Sequence, residues 1–327
     1  MEKKTIKKKV TLSDIAKELN LSANAVSKAL HGKSDISIKT QELVRETAER
    51  MGYIKNNMAS LIRSGKSNIV GVVVSSLTSP YYILGASNVL TMLQNNKFTT
   101  LLKVTEDRSL DDKMVYELIE NRVCAIITFV ETERDAIQLC KKQSLPIIVV
   151  GTETDDEEIS NVYADEVITG EIAANEFFAM NKKRPCYVNT KTFNNSIRKN
   201  AFIEILKEHN IEVDQYSLDF ENSFEVKEEF AKLIKANRND FIFCFNDEIA
   251  SIVLGILEFH KIKFCKVLGV DGTPNSLSIS RKFDSIGFDF GVICGYIKEI
   301  LLKTVENEEI MTIKYKYKPH LIKAKMD

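Results

Sequence analysis

The chain has 327 residues, enough for two or three compact units, and its 44% hydrophobic and 28% charged content is that of ordinary globular protein rather than a disordered tail. Its formal charge of −1 hides an asymmetry: residues 1 to 68 hold 14 Lys and Arg against 7 Asp and Glu, a net +7, which leaves 31 basic and 39 acidic residues, a net −8, in the remainder. No apolar run nears the roughly 18 residues that span a bilayer, the lysines from Lys3 to Lys9 precede no hydrophobic stretch, and the six cysteines lack metal or redox spacing, so a membrane, exported or disulfide-stapled protein is not expected.

A basic head on an acidic body points to a polyanionic partner, and nucleic acid is the expected one. In chain order, Leu12, Ile15, Ala16 and Leu19 recur at helical spacing behind a Thr11–Asp14 capping box, which predicts a short amphipathic helix. Asn20-Leu21 makes a tight break, Ser22 caps a second helix with Val26, Ala29 and Leu30 on its apolar side, and His31-Gly32 ends it. After Lys33 to Ile36, Ser37 caps a third helix carrying Val44, Thr47, Ala48 and Met51 until Gly52. Two short helices across so brief a turn predict a helix-turn-helix, although any small three-helix bundle shares this periodicity. In such a unit the start of the second helix meets base edges. Asn24 suits adenine, Lys28 suits guanine and Ala23 suits a thymine methyl, with Ser22 and Ser27 placed for phosphates and His31 at the end of the same helix.

From Ile69 onward short apolar runs alternate with amphipathic stretches: Ile69 to Ser75, Thr100 to Val104, Cys124 to Val130 and Ile147 to Gly151, then, after the acidic loop from Glu153 to Glu158, runs near Cys186 to Asn189, Phe241 to Phe245 and Val267 to Val270. This repeated βα pattern predicts two parallel α/β units with a ligand crevice at their strand ends. Tyr81 and Tyr82 follow the first strand and suit stacking on a sugar or base face. His31, His209, His260 and His320 sit in no triad or metal spacing, and neither a Gly-x-Gly-x-x-Gly nor a lysine-terminated phosphate loop occurs. Neither an enzyme nor a protein with a metal or cofactor is expected.

The runs VTLSDIAKEL (10–19), LSANAVSKALHG (21–32) and MGY (51–53), continued by IVGVVV (69–74), TSPYY (78–82), FND (245–247) and LGVD (268–271), resemble the LacI/GalR family of bacterial transcriptional regulators along the whole chain. The resemblance implies an N-terminal all-α helix-turn-helix domain (1–54), a hinge helix and linker (55–67), and a periplasmic-binding-protein-like α/β body (68–327) of two Rossmann-like subdomains, with chain crossings near Asn161, Phe288 and Tyr317. In the hinge it places Asn56 on DNA and Ile62 as a wedge in the minor groove, with Leu61 as the alternative wedge. Lys55 and Ser60 depart from the usual Pro and Arg. In the cleft it suggests Arg198, Asn246 and Asp271 for effector contacts, with Phe288 or Asp289, depending on register, where a Gln is common; Ala201 replaces a usual Gly. The implied function is a cytoplasmic homodimeric regulator, expected to be a repressor, that binds a double-stranded DNA operator under control of a sugar or related metabolite. Two alternatives remain at this point: the same regulator without a small-molecule effector, and a sugar-binding receptor or enzyme with no DNA role.

Overall fold

The computed structural model describes residues 9–54, 67–105, 109–190, 196–219, 223–273, 283–307 and 312–324. Contacts divide the chain into two units, Met1–Lys66 and Ser67–Asp327.

In the first unit Leu12–Glu18 forms α1, Ala23–Leu30 forms α2 and Ile38–Met51 forms α3. Thr11 and Asp14 cap α1 reciprocally: the Thr11 hydroxyl accepts from the Asp14 N–H at 3.3 Å, and the Asp14 carboxylate accepts from the Thr11 N–H at 2.8 Å. Asn20, at φ 52°, turns the chain into α2, whose cap is the Ser22 hydroxyl accepting from Ala25. Gly52 ends α3 at φ 71°, where a side chain would be strained, and the Tyr53 N–H donates to the Ala48 carbonyl. Ile15, Val26 and Val44, one from each helix, are fully buried at the shared core. Arg50 of α3 also reaches Glu18 of α1 at 2.9 Å, an exposed pair that contributes little.

The second unit carries two six-stranded sheets. In lobe one β1 (Ile69–Val74), β2 (Thr99–Val104), β4 (Ala125–Thr128), β6 (Ile147–Gly151), β7 (Ser160–Ala164) and β13 (Lys314–Tyr317) pair in the order β13-β7-β6-β4-β1-β2, all parallel. Both faces are covered, which is why these strands are nearly continuous in Val and Ile. Val70, Val72 and Val74 pack towards α4 (Pro80–Asn95) and α11 (Phe290–Asn307), while Val73 packs towards α5 (Asp112–Glu120) and α6 (Arg134–Lys142). A two-residue pair, β3 (Ser109–Leu110) with β5 (Glu131–Thr132), lies beside this sheet in sequence.

Lobe two orders its strands β14-β12-β11-β10-β8-β9, with β8 (Pro185–Asn189), β9 (Asp214–Ser217), β10 (Phe241–Cys244), β11 (Lys266–Asp271) and β12 (Asp284–Gly287) parallel and β14 (His320–Ile322) antiparallel to β12. Its helices are α7 (Glu166–Ala179), α8 (Ser196–Glu208), α9 (Phe224–Asn237) and α10 (Asp247–Phe259). Lobe one is filled by aliphatic side chains, but lobe two is built on rings: Phe177 meets Phe241 at 5.5 Å and Tyr187 meets Phe243 at 5.3 Å, both edge to face. Such pairs are each worth about 0.5–1.5 kcal/mol beyond their buried area. The chain passes between the sheets three times, from β7 to α7, from β12 to α11, and from β13 to β14.

All six cysteines are free thiols. Burial pushes Cys124 and Cys294 up to about 11 and Cys140 and Cys265 up to about 12, so none of these four offers a thiolate at neutral pH. Among the described residues no helix is long and apolar enough to cross a membrane.

Helices α7 and α8 meet at Gly170, where an added Cβ would lie 2.6 Å from both the Arg198 carbonyl oxygen and the Ala201 Cβ. Ala201 is thus accommodated by a glycine on the facing helix. Gly170→Ala gains about 1 kcal/mol of helix propensity but overpacks against backbone that cannot yield, at a cost of about 1–3 kcal/mol. We expect net destabilisation, read as a lowered midpoint in urea denaturation; an unchanged or raised midpoint would show that the two helices can part freely.

Candidate nucleic-acid interface and effector cleft

The α2 surface presents part of the set expected to meet DNA. Ser22, Ala23 and Asn24 are exposed at its first turn, with the Ser22 oxygen already engaged as the cap. Lys28 is half-exposed and forms an ion pair with Asp35 from the following loop, and the Lys28 ammonium beside it is the main cause that holds the Asp35 carboxyl below its usual value. His31 is exposed, and its Nδ1 lies 2.6 Å from the Ser27 carbonyl oxygen, which leaves Nε2 as the outward atom. Ser27 corrects the expectation: at 8% exposure it packs beneath the helix instead of standing on the surface as a phosphate contact requires. Asn56, Ile62 and the alternative Leu61 lie outside the described residues.

In the second unit a cavity of about 420 Å³ opens between the two lobes at the carboxyl ends of their strands. Lobe one contributes Ser79, Tyr81 and Tyr82 from the start of α4, Phe129 and Glu131 after β4, and Gly151, Thr152 and Glu153 at the end of β6. Lobe two contributes Ile197 and Arg198 of α8, Phe245, Asn246 and Glu248 around the start of α10, and Asp271 at the end of β11. Ala164, Glu166, Phe288 and Tyr317 come from the crossings. Tyr81, Tyr82, Arg198, Asn246 and Asp271 therefore converge on one space. Asp289 does not: it is exposed, and its carboxylate caps α11 by accepting from Gly291 at 2.8 Å and Val292 at 3.3 Å. Of the two registers it is Phe288 that lines the cavity. A helix start takes an acidic cap for its own unpaired N–H groups, and this use outcompeted the cleft.

The floor of the cavity is an ion pair almost wholly removed from water. Arg198 and Glu166 are 6% and 9% exposed; Nη2 of the arginine donates to Glu166 Oε1 at 2.5 Å, and Nη1 donates to the Phe245 carbonyl at 2.8 Å. The guanidinium also lies 5.3 Å from the centre of the Phe245 ring. Burial alone would push the Arg198 pKa down, but Glu166 beside it overcomes that and raises it, so the guanidinium stays charged. Arg198 Nε and Glu166 Oε2 are buried without any partner. Each is costly to leave unpaired; hydroxyl groups can accept from the one and donate to the other.

Asp271 bends the backbone to φ 106°, a conformation that costs a non-glycine residue about 1–3 kcal/mol and tends to occur at functional sites. Burial, helped by the nearby Asp247, pushes its carboxyl well up despite Arg198. Asn246 lines the cavity but spends its side-chain oxygen on the cap of α10, accepting from Ile249 at 2.9 Å. Tyr81 is held by Tyr82 and Phe129, with ring centres 5.2 and 6.4 Å away, and its hydroxyl lies where a Cβ at Gly151 would stand, 2.3 Å off, so only glycine fits there. The lobes also touch directly across the opening, where the Ser79 hydroxyl donates to Glu248 at 3.2 Å. Glu166, Ser79 and Glu248 escape a sequence reading because an acid or serine at a helix start reads as a cap; no spacing marks them.

Removing one partner of the pair leaves a buried unpaired charge, so Arg198→Ala should destabilise by about 3–5 kcal/mol. The Glu166→Leu, Arg198→Met double variant should recover most of that loss in urea denaturation, and failure to recover would assign the loss to packing. For Asp271, whose folded pKa is raised, the stabilising contribution is complete below the ordinary carboxylate range and is lost as pH rises through the raised value. Asp271→Asn should therefore flatten the fall of thermal stability as pH rises from the ordinary carboxylate range towards that raised value, and an unaltered pH profile would remove Asp271 as its source.

No protein-family model matches the chain. A probable HTH-type transcriptional repressor of Bacillus subtilis, ExuR, is 27% identical over 300 residues, covering 85% of this chain and 83% of ExuR. Among solved structures, the lac repressor dimer bound to operator and the anti-inducer ONPF superposes at a TM-score of 0.83, with 17% identity over 97% of this chain and 98% of that one. The transcriptional regulator CelR in complex with cellobiose superposes at 0.66, with 17% identity over 97% and 99% of the two chains. A helix-turn-helix head, two crossed α/β lobes around a cleft, and likeness to repressors along most of the length agree: the chain is similar in sequence to LacI-family regulators and has the fold of the LacI/GalR repressors.

Proposed function

We propose that this chain is a cytoplasmic, homodimeric repressor that reads an operator with α2 and releases or grips it according to a hydroxylated metabolite held between the lobes. The observation that carries the proposal is the buried Arg198–Glu166 pair, which leaves one donor and one acceptor unpaired at the floor of the cavity. Hydroxyls of a polyol satisfy both, and Tyr81 and Tyr82 supply apolar faces against which sugar carbons pack. CelR, a regulator of the same fold, is solved with cellobiose, and the lac repressor is solved with operator and an anti-inducer, which supports the reading.

Control follows if the ligand prefers one lobe arrangement, because only a differential affinity shifts a conformational equilibrium. The Ser79–Glu248 contact spans the lobes, where a change in their arrangement would act on it. The departures at Ala201 and at the usual Gln leave open a regulator indifferent to small molecules; Ala201 faces Gly170 rather than the cavity, whereas Phe288, one of the two registers for the Gln, lines it. The chain acts here by binding rather than catalysis.

Selection from a random duplex pool with the full-length protein, followed by titration of the selected site at two salt concentrations, tests the DNA half. Recovery of a near-palindromic site bound far more tightly than random duplex is expected; no enrichment at either salt would transfer the reading to a receptor without a DNA role. On the selected site Lys28→Ala should cost about 1–3 kcal/mol, and an equal loss on random duplex would reduce Lys28 to a phosphate contact. Asp35→Asn frees the Lys28 ammonium and should tighten binding to both duplexes at low salt.

A further inference from the structure

We infer that the cleft is built for a hydroxylated cation, an amino sugar or a compound of like chemistry, and turns away sugar acids and sugar phosphates. The inference rests on the reading of the cleft as a ligand site and goes further, to the charge of the ligand.

The charges lining the cavity are unbalanced. Among the described residues Glu131, Glu153, Glu166, Glu248 and Asp271 line it against one cation, Arg198. That cation is already committed: Nη2 to Glu166, Nη1 to the Phe245 carbonyl, and its plane to the Phe245 ring. An arginine arranged to clamp a carboxylate or phosphate presents two parallel N–H groups to it. Both Nη atoms of Arg198 are held by acceptors of the protein, and Nε is its one nitrogen without a partner among the described residues. The acceptor Glu166 Oε2 is also unpartnered, on a residue 9% exposed. A carboxylate oxygen out of water with no donor is expensive unless a ligand supplies one, and an ammonium supplies it with a charge that the surrounding carboxylates reinforce. Hydroxyls on the same ligand satisfy Nε.

The neighbouring carboxyls argue the same way. Asp271, 106° in φ and set among Asp247, Glu248 and Glu166, is itself pushed towards its neutral form, the direction expected where further negative charge is unwelcome. An anionic sugar would bring one more negative group to that place. At longer range the acidic body, at −8, repels anions and draws cations towards the opening.

The test is calorimetric titration of the full-length protein with matched hexose series, gluco, galacto and manno, each as the neutral sugar, the 2-amino sugar and the uronate, at about pH 6.5, where the amine is protonated. In at least one series the amino sugar should bind about tenfold or more tightly than its neutral parent, with the uronate weakest, and the ratio should shrink as salt rises. Glu166→Gln should bring the ratio towards one; if that variant does not fold, the salt dependence of the unmodified protein carries the same information. Neutral sugars binding as well as their amino counterparts would overturn the charge inference and leave the cleft a sugar site. A uronate binding most tightly would overturn it outright. Binding by no member of any series would count against both the inference and the ligand-site reading beneath it.

Discussion

A guanidinium and a carboxylate held out of water together are the interaction on which the body of this protein turns. Arg198 comes from α8, Glu166 from the first turn of α7 just after the first crossing, and the carbonyl that completes the set from the residue following β10. Desolvating both ions costs several kcal/mol each, and only close geometry repays it. The pair therefore fixes the relation of two helices, one strand end and one inter-lobe connection to one another. Its position is fixed in turn by Gly170, which lets α7 and α8 approach until the backbone around Arg198 is nearly in contact. Ligand chemistry, lobe packing and the crossing of the chain thus meet at the same few atoms.

The two units carry opposite charge, and this division governs approach before any contact forms. A nucleic-acid duplex is drawn to the +7 head and repelled by the −8 body. Within the head the attraction is moderated by Asp35, which occupies the ammonium of Lys28, a residue of the helix proposed to read bases. A phosphate or a base edge has to outbid that carboxylate, so a contact worth having on a good site is worth less on a poor one. Charge pairing in the free head is in this sense a contribution to selectivity.

Much of the fold was legible because its rules are local. The capping box at Thr11 and Asp14, the breaks at Asn20 and Gly52, and the apolar spacing of each helix are written within a few residues, and the head forms as read. The central parallel strands were legible as unbroken apolar runs, since both of their faces are covered. Strands at or near the sheet edges were not: β9 reads Asp-Gln-Tyr-Ser and β13 reads Lys-Tyr-Lys-Tyr, half exposed and polar, and only pairing with distant partners makes them strands. In the cleft, resemblance pointed to Arg198 and Asp271, which line the cavity, but could not reveal Glu166, whose position at a helix start is the commonest place for an acid that caps nothing but its own helix. The same ambiguity ran the other way at Asp289, which resemblance put in the cleft and which turned out to serve its helix. Ser27 differs again: a three-helix core of this size takes whatever side chain its second helix turns inward, hydroxyl included.

The three passages between the lobes have a consequence for synthesis. Lobe one begins at Ile69, yet its sheet is not complete until β13 has paired with β7, and the face that α4 covers in part is not closed until Ile293, Ile297 and Ile300 of α11 arrive. Lobe two is spelled out in the interval. A chain emerging from the ribosome in order therefore cannot finish its first lobe before making its second, and apolar surface on the earlier one must wait, shielded by whatever the cell provides. The cleft is later still, since Phe288 and Tyr317 belong to its walls. No unfinished chain contains the complete pocket, so a prematurely ended translation product can carry the whole head without the walls through which that head would be controlled.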